Sequence, residues 1–119
     1  MVGQNYGVSR KSIETAENEL GILFPDDLKR HWRDVGCGRI LNGMDNDNLL
    51  FSPAQVCAFR RRAGKFKGIP KLAGEKHRIC FFMENIENFY SIDLSDNHIY
   101  VDNVRVANSL EEFVRWMGG

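Results

Sequence analysis

Histidine and cysteine are the side chains that most readily supply a base, a nucleophile or a metal ligand near neutral pH. This chain has three of each: His31, His77 and His98, and Cys37, Cys57 and Cys80. None of the histidines stands at a metal-ligand spacing from another histidine or a cysteine, and a zinc site needs about four such ligands brought together. The cysteine count is odd and no CxxC pair occurs, so no disulfide framework is expected and each cysteine reads as a small buried hydrophobe. GxGxxG, GxxxxGK[ST], HExxH and GxSxG are all absent. The carboxylate pairs Asp26-Asp27 and Glu111-Glu112 are accounted for as first-turn charges complementing helix dipoles. These residues predict no catalytic group, no metal site and no cofactor, and hence a protein that is not an enzyme.

Charge is the remaining source of chemistry. Net formal charge is zero, so no whole-molecule field draws the chain to nucleic acid or an acidic membrane. Locally the charge is divided. Arg60, Arg61, Arg62, Lys65, Lys67, Lys71, Lys76 and Arg78 face a single acid in their stretch, Glu75. Glu84, Glu87, Asp93, Asp96, Asp102, Glu111 and Glu112 follow, interrupted by Arg105. The basic block, interleaved with Phe59 and Phe66, could grip phosphates. The acidic block could meet a basic partner and speed its encounter. Two solvated faces that attract each other weakly are the third possibility.

The elements that position these charges follow from periodicity and punctuation. A frayed arm over residues 1–9 precedes a helix over 10–20, with Ile13, Ala16 and Leu20 in one stripe and Gly21 as its stop. Ile22-Leu23-Phe24 is an apolar link. Pro25 opens a second helix over 25–35, with Leu28, Trp32 and Val35 facing inward. The glycine- and asparagine-rich residues 36–48 read as a loop. Ser52-Pro53-Ala54-Gln55 is a capping box starting a helix that points Val56 and Phe59 inward. Residues 60–78 read as a frayed helix end and a mobile loop. A β-meander is expected over 78–83, 89–94 and 98–101, with 104–106 as a short edge and Ser95-Asp96-Asn97 as a hairpin turn. A last helix over 109–117 starts at the capping box Ser109-Leu110-Glu111-Glu112 and carries Leu110, Phe113, Val114 and Met117 on its core stripe.

Helices at both ends of an antiparallel run make an α+β layer fold, a curved meander sheet with helices packed around it. At 119 residues the chain fits one domain, here 10–119, with a core large enough to need neither metal nor disulfide. No apolar run approaches the roughly 20 residues of a membrane helix, and no signal peptide is legible. A cytoplasmic protein without membrane contact is expected.

The order of signals resembles one family. Ile13-x-x-x-Glu17-x-x-Leu20-Gly21 leads to Phe24-Pro25, a helix with Leu28, and a turn at Gly36 and Gly38. Leu49-Leu50-Phe51-Ser52-Pro53 with Val56 follows, then Ile79-Cys80-Phe81-Phe82, Asn88-Phe89-Tyr90-Ser91-Ile92-Asp93 and Ser109-Leu110-Glu111-Glu112-Phe113. This order is similar to the SUKH superfamily, or Smi/Knr domains, over about residues 10–117. Members usually show Gly-Asp before the aromatic strand, where this chain has Asn85 to Asn88, and Leu-Pro where it has Phe24-Pro25.

The resemblance implies an α+β domain with a non-catalytic binding role. In bacteria that role is chiefly immunity against a toxin, often a nuclease; in eukaryotes it is that of an adaptor. It carries no shared site motif, so the expected partner-binding residues rest on charge and aromatic placement: Glu84, Glu87, Tyr90, Asp93, Asp96, Tyr100 and Asp102. The expected partner is a cognate protein toxin that is basic, a nuclease in the sharper version, with the chain a monomer or weak homodimer. The alternatives are nucleic-acid binding through residues 60–78 and an adaptor role toward another protein.

Overall fold

The computed structural model describes residues 3–40, 48–72, 74–84 and 88–118. Among these residues seven strands form one antiparallel sheet in chain order: β1 (Gly3–Tyr6), β2 (Cys37–Ile40), β3 (Asn48–Leu50), β4 (Arg78–Glu84), β5 (Asn88–Asp93), β6 (Ile99–Val101) and β7 (Val104–Ala107). Helices α1 (Arg10–Leu20) and α2 (Asp26–Asp34) lie between β1 and β2, α3 (Pro53–Arg61) between β3 and β4, and α4 (Leu110–Gly118) after β7. A short 3-10 turn, Gly64–Phe66, follows α3. The α+β meander is as expected.

The helix signals are satisfied locally. Ser9 caps α1 by accepting from the Ser12 amide, and Gly21 closes it in the left-handed conformation at φ 69°. Ser52 and Gln55 form the reciprocal capping box on α3, at 2.8 and 3.1 Å.

Two aromatic clusters hold the layers together. Phe113 of α4 sits 5.0–5.4 Å from the rings of Phe81, Phe82 and Tyr90. On β5 Phe89 precedes Tyr90 and so faces the other side of the sheet. There it meets Phe59 of α3 at 5.3 Å, which stacks in turn on Phe51 and Phe66. The sheet is therefore covered on both faces. The register of β4 shifts between Cys80 and Phe82, and the extra residue Phe81 lets two adjacent phenylalanines reach the same helix. Trp32 of α2 is fully buried, edge-on to Phe24 at 4.9 Å, with its indole N–H donating to the Phe51 carbonyl at 2.8 Å.

Several segments differ from expectation. The N-terminal arm contains β1, paired with β2 from Gly3↔Ile40 to Tyr6↔Cys37. The loop read over 36–48 contains β2. Its signal was hidden because Gly38 is buried in the strand at φ 123°, a conformation that favours glycine and reads as a turn residue. Residues 41–47 lie outside the described residues. In the apolar link Phe24 is buried but Leu23 is 76% exposed, and Val35, expected inside, is 38% exposed beyond the end of α2. The Met117 side chain is outside those described.

Candidate functional site

Arg78 opens β4 directly opposite Asp93 of β5, an oppositely charged cross-strand pair. Its Nε donates to Asp93 Oδ2 at 3.0 Å. Its guanidinium lies 3.9 Å from the centre of the Tyr100 ring and donates to the Asp102 carbonyl at 2.8 Å. Gly74 makes room for this side chain: a Cβ there would come within 3.0 Å of Arg78 Nε. Asp93 Oδ1 accepts from the amide and hydroxyl of Ser95, and His77 approaches Oδ2 at 3.5 Å. Burial alone would raise the Asp93 pKa, but the Ser95 and Arg78 hydrogen bonds prevail and hold it below the ordinary 3.8.

The neighbouring turn is wired to the same group. Asp96 accepts from the His98 amide at 2.8 Å and from the Tyr100 hydroxyl at 2.9 Å. The amide hydrogen bond is the chief reason that its pKa is lowered. The Tyr100 hydroxyl, donating to that carboxylate, is correspondingly harder to ionise. Asp96 and Asp102 are both exposed, Asp102 in a left-handed turn at φ 54° that aspartate tolerates better than most residues. The hub thus presents two outward carboxylates on a framework fixed by one arginine.

The six expected residues that are described do not form one surface. Asp93, Asp96, Tyr100 and Asp102 converge on Arg78. Glu84 stands at the far end of β4, six residue steps or about 20 Å away. It accepts from Asn88 at 3.1 Å and from the Tyr90 hydroxyl at 3.2 Å. Two of the expected residues lie inside the fold. Tyr90 is only 4% exposed because it faces Phe82 and Phe113, and burial followed by the Glu84 charge pushes its pKa up to about 12. Asp93 is likewise 4% exposed and neutralised by Arg78. Neither can anchor a partner directly. Glu87 lies outside the described residues.

Sequence reasoning assigned Arg78 to the basic block and so missed the residue that organises the site. The available signal was its position opposite Asp93 in the expected hairpin. The basic block is also less free than expected. Arg61 pairs with Glu19 of α1. Arg60 donates to the Arg78 carbonyl at 3.2 Å. Arg62 pairs with Glu75 at 2.6 Å, donates to the carbonyls of Phe59, Ile69 and Pro70, and covers the Phe59 ring at 4.2 Å. The expected frayed helix end is a closed αL turn held by Arg62 itself, at φ 57°.

The cysteines are buried, and desolvation raises each thiol pKa, that of Cys57 to about 11. No cluster of metal-ligating side chains occurs among the described residues. Nor is any helix there long and apolar enough to cross a membrane.

A family model described as the SMI1 / KNR4 family (SUKH-1) matches residues 7–116. The chain is also 32% identical over 117 residues to the immunity protein YxxD of Bacillus subtilis (strain 168), covering 92% of this chain and 80% of that protein.

Proposed function

The chain belongs to the SMI1/KNR4 (SUKH-1) family, and from that premise we propose that it is an immunity protein, a non-catalytic binder that neutralises a cognate toxin. The observation that carries this reading is the near full-length similarity to a protein named for immunity. The mechanism is steric and electrostatic: the domain covers the toxin's active site or substrate groove. The toxin is basic, and a nuclease in the sharper form of the proposal, because a nuclease needs a basic groove that an acidic surface complements.

The contact surface is the Arg78 hub, with Asp96 and Asp102 outward and the half-buried Tyr100 between them; Glu84 is a second contact on the same hairpin. Hydrogen bonds hold the Asp96 and Glu84 carboxylates, and a tight turn whose backbone carbonyl binds Arg78 places Asp102, which lowers the entropy lost on docking. The nucleic-acid alternative is weakened because Arg61 and Arg62 are spent on Glu19 and Glu75.

The test is co-expression with the product of each gene adjacent to this chain's, to find one whose toxicity the wild-type chain suppresses. Asp96→Asn and Asp102→Asn keep the turn geometry while removing charge. Together they should lower affinity roughly tenfold at low salt, largely through a slower on-rate, with the melting curve retained. Wild-type protection by the double variant would remove the acidic hub from the reading. Salt-sensitive binding of DNA or RNA by the wild-type chain would favour the alternative.

A further inference from the structure

The last strand of the sheet is paired on one side only. Among the described residues β7 pairs with no strand but β6, so its outer backbone groups have no partner strand there. Val101 and Val104 flank the two-residue turn at Asp102 and Asn103 and face each other across the ladder. In such a hairpin the flanking pair exchanges the ladder bonds, which directs the N–H and C=O of Arg105 outward. Val106 is the extra residue where the register shifts, so further pairing is confined to the Val104–Arg105 half.

This edge is apolar beyond what an exposed strand needs. Val104 is 63% and Val106 37% exposed, and Trp116 of α4 is 61% exposed. Val104 lies opposite Val101, which lies opposite Tyr90, so Val104 is on the face that Phe113 and α4 cover. Helix α4, which carries Trp116, packs against β7. Of the devices that blunt a bare edge, β7 has its shortness, the charge of Arg105 and the bulge at Val106, but no lysine or proline, and its Val104–Arg105 half stays regular.

The charges select the occupant. Asp102 stands at one end of β7, and Glu111 and Glu112 follow its other end at the start of α4. In an antiparallel pairing of two copies about a two-fold axis, Asp102 of one would face the end of the other that carries Glu112, where Glu111 is already paired with Arg115 at 3.1 Å. Like charges set against each other disfavour a second copy. An extended segment with basic residues at its ends fits instead.

We propose that the β7 edge takes up an extended, basic segment of the partner toxin as an eighth strand, seated on Val104 and Trp116. The proposal rests on the immunity reading and extends the acidic hub, to which Asp102 belongs, along the sheet edge.

The probe is a toxin that the wild-type chain neutralises in the co-expression test above, measured against the purified full chain by calorimetry and by amide exchange. Val104→Lys and Trp116→Ala should each weaken binding at least tenfold while the chain stays folded by circular dichroism. Arg105→Pro, which removes the outward N–H, should weaken it similarly; Arg105→Ala keeps that N–H, removes a like charge, and should bind as tightly as wild type or tighter. Leu23→Lys, at an exposed apolar site elsewhere, should change nothing. The Arg105 amide should gain protection in the complex.

Wild-type affinity for Val104→Lys and Trp116→Ala, with no added protection at Arg105, would overturn the edge assignment. If Asp96→Asn and Asp102→Asn still weakened binding, the immunity reading would survive that result. A monomer–dimer equilibrium abolished by Val104→Lys would give the edge to a second copy and would also overturn the proposal. A wild-type chain that neither binds nor protects would sink both readings.

Discussion

Arg62 shows how one side chain can be misread from its charge. It follows Arg60 and Arg61 and reads in the sequence as part of a cationic patch, yet it serves three carbonyls, Glu75 and the Phe59 ring. Its ion pair is only 16% and 11% exposed, so removing one partner leaves the other poorly solvated. Arg62→Ala should cost on the order of 2–3 kcal/mol in denaturant melts. Lys76→Ala, on the exposed part of the loop, should lie within about 0.5 kcal/mol of wild type. Asp93 makes a prediction about pH. Its folded pKa lies below the ordinary 3.8, so the unfolded chain binds the proton more readily. Its contribution to stability is present above that ordinary value and is lost as pH falls through the folded one. Asp93→Asn should therefore flatten the acid limb of a stability–pH curve and leave its slope near neutrality unchanged. At this scale the acids of the site were legible, because composition marks them. Their exposure was not: β5 is buried on both faces from Tyr90 to Asp93, and only the packing of Phe113 over Tyr90 and the placement of Arg78 at Asp93 close those two positions.

Helices were read more completely than strands, for a physical reason. Caps and apolar stripes are local, so Ser9, Gly21, Ser52 and Gln55 carried their boundaries in the sequence. Ser52→Ala should cost about 1 kcal/mol, read as a lower melting midpoint with unchanged denaturant dependence. The strands of the later meander were also legible, since β4 to β7 follow one another with short links. β1 and β2 were not. They pair across both α1 and α2, and β2 depends on a buried glycine at positive φ whose composition signals a loop. The bulge at Phe81 was equally silent, because two adjacent phenylalanines on one face contradict the period of two.

For the whole molecule, the core is one connected set of side chains running from Ile13 to Phe113. We propose that the chain unfolds as one unit. Trp32 fluorescence, isolated in a Trp116→Phe background, should then report the same midpoint as far-ultraviolet circular dichroism. Trp32→Ala should lower stability by about 3–5 kcal/mol, because it empties a fully buried site and strips the Phe51 carbonyl of its donor. Cysteine labelling gives an independent view. With all three thiols buried, modification at mildly alkaline pH should track the rate of opening rather than thiol chemistry. The position of Phe113 has a further consequence for the ribosome. The sheet is laid down strand by strand in the order of synthesis, but the ring that seals Phe81, Phe82 and Tyr90 is added about 20 residues after β5 is complete. At typical translation speeds that gap lasts roughly 1–4 s. During it the nascent chain carries a bare aromatic sheet that nothing of its own can cover, so its yield in the cell should depend on holdase chaperones far more than the stability of the finished domain would suggest.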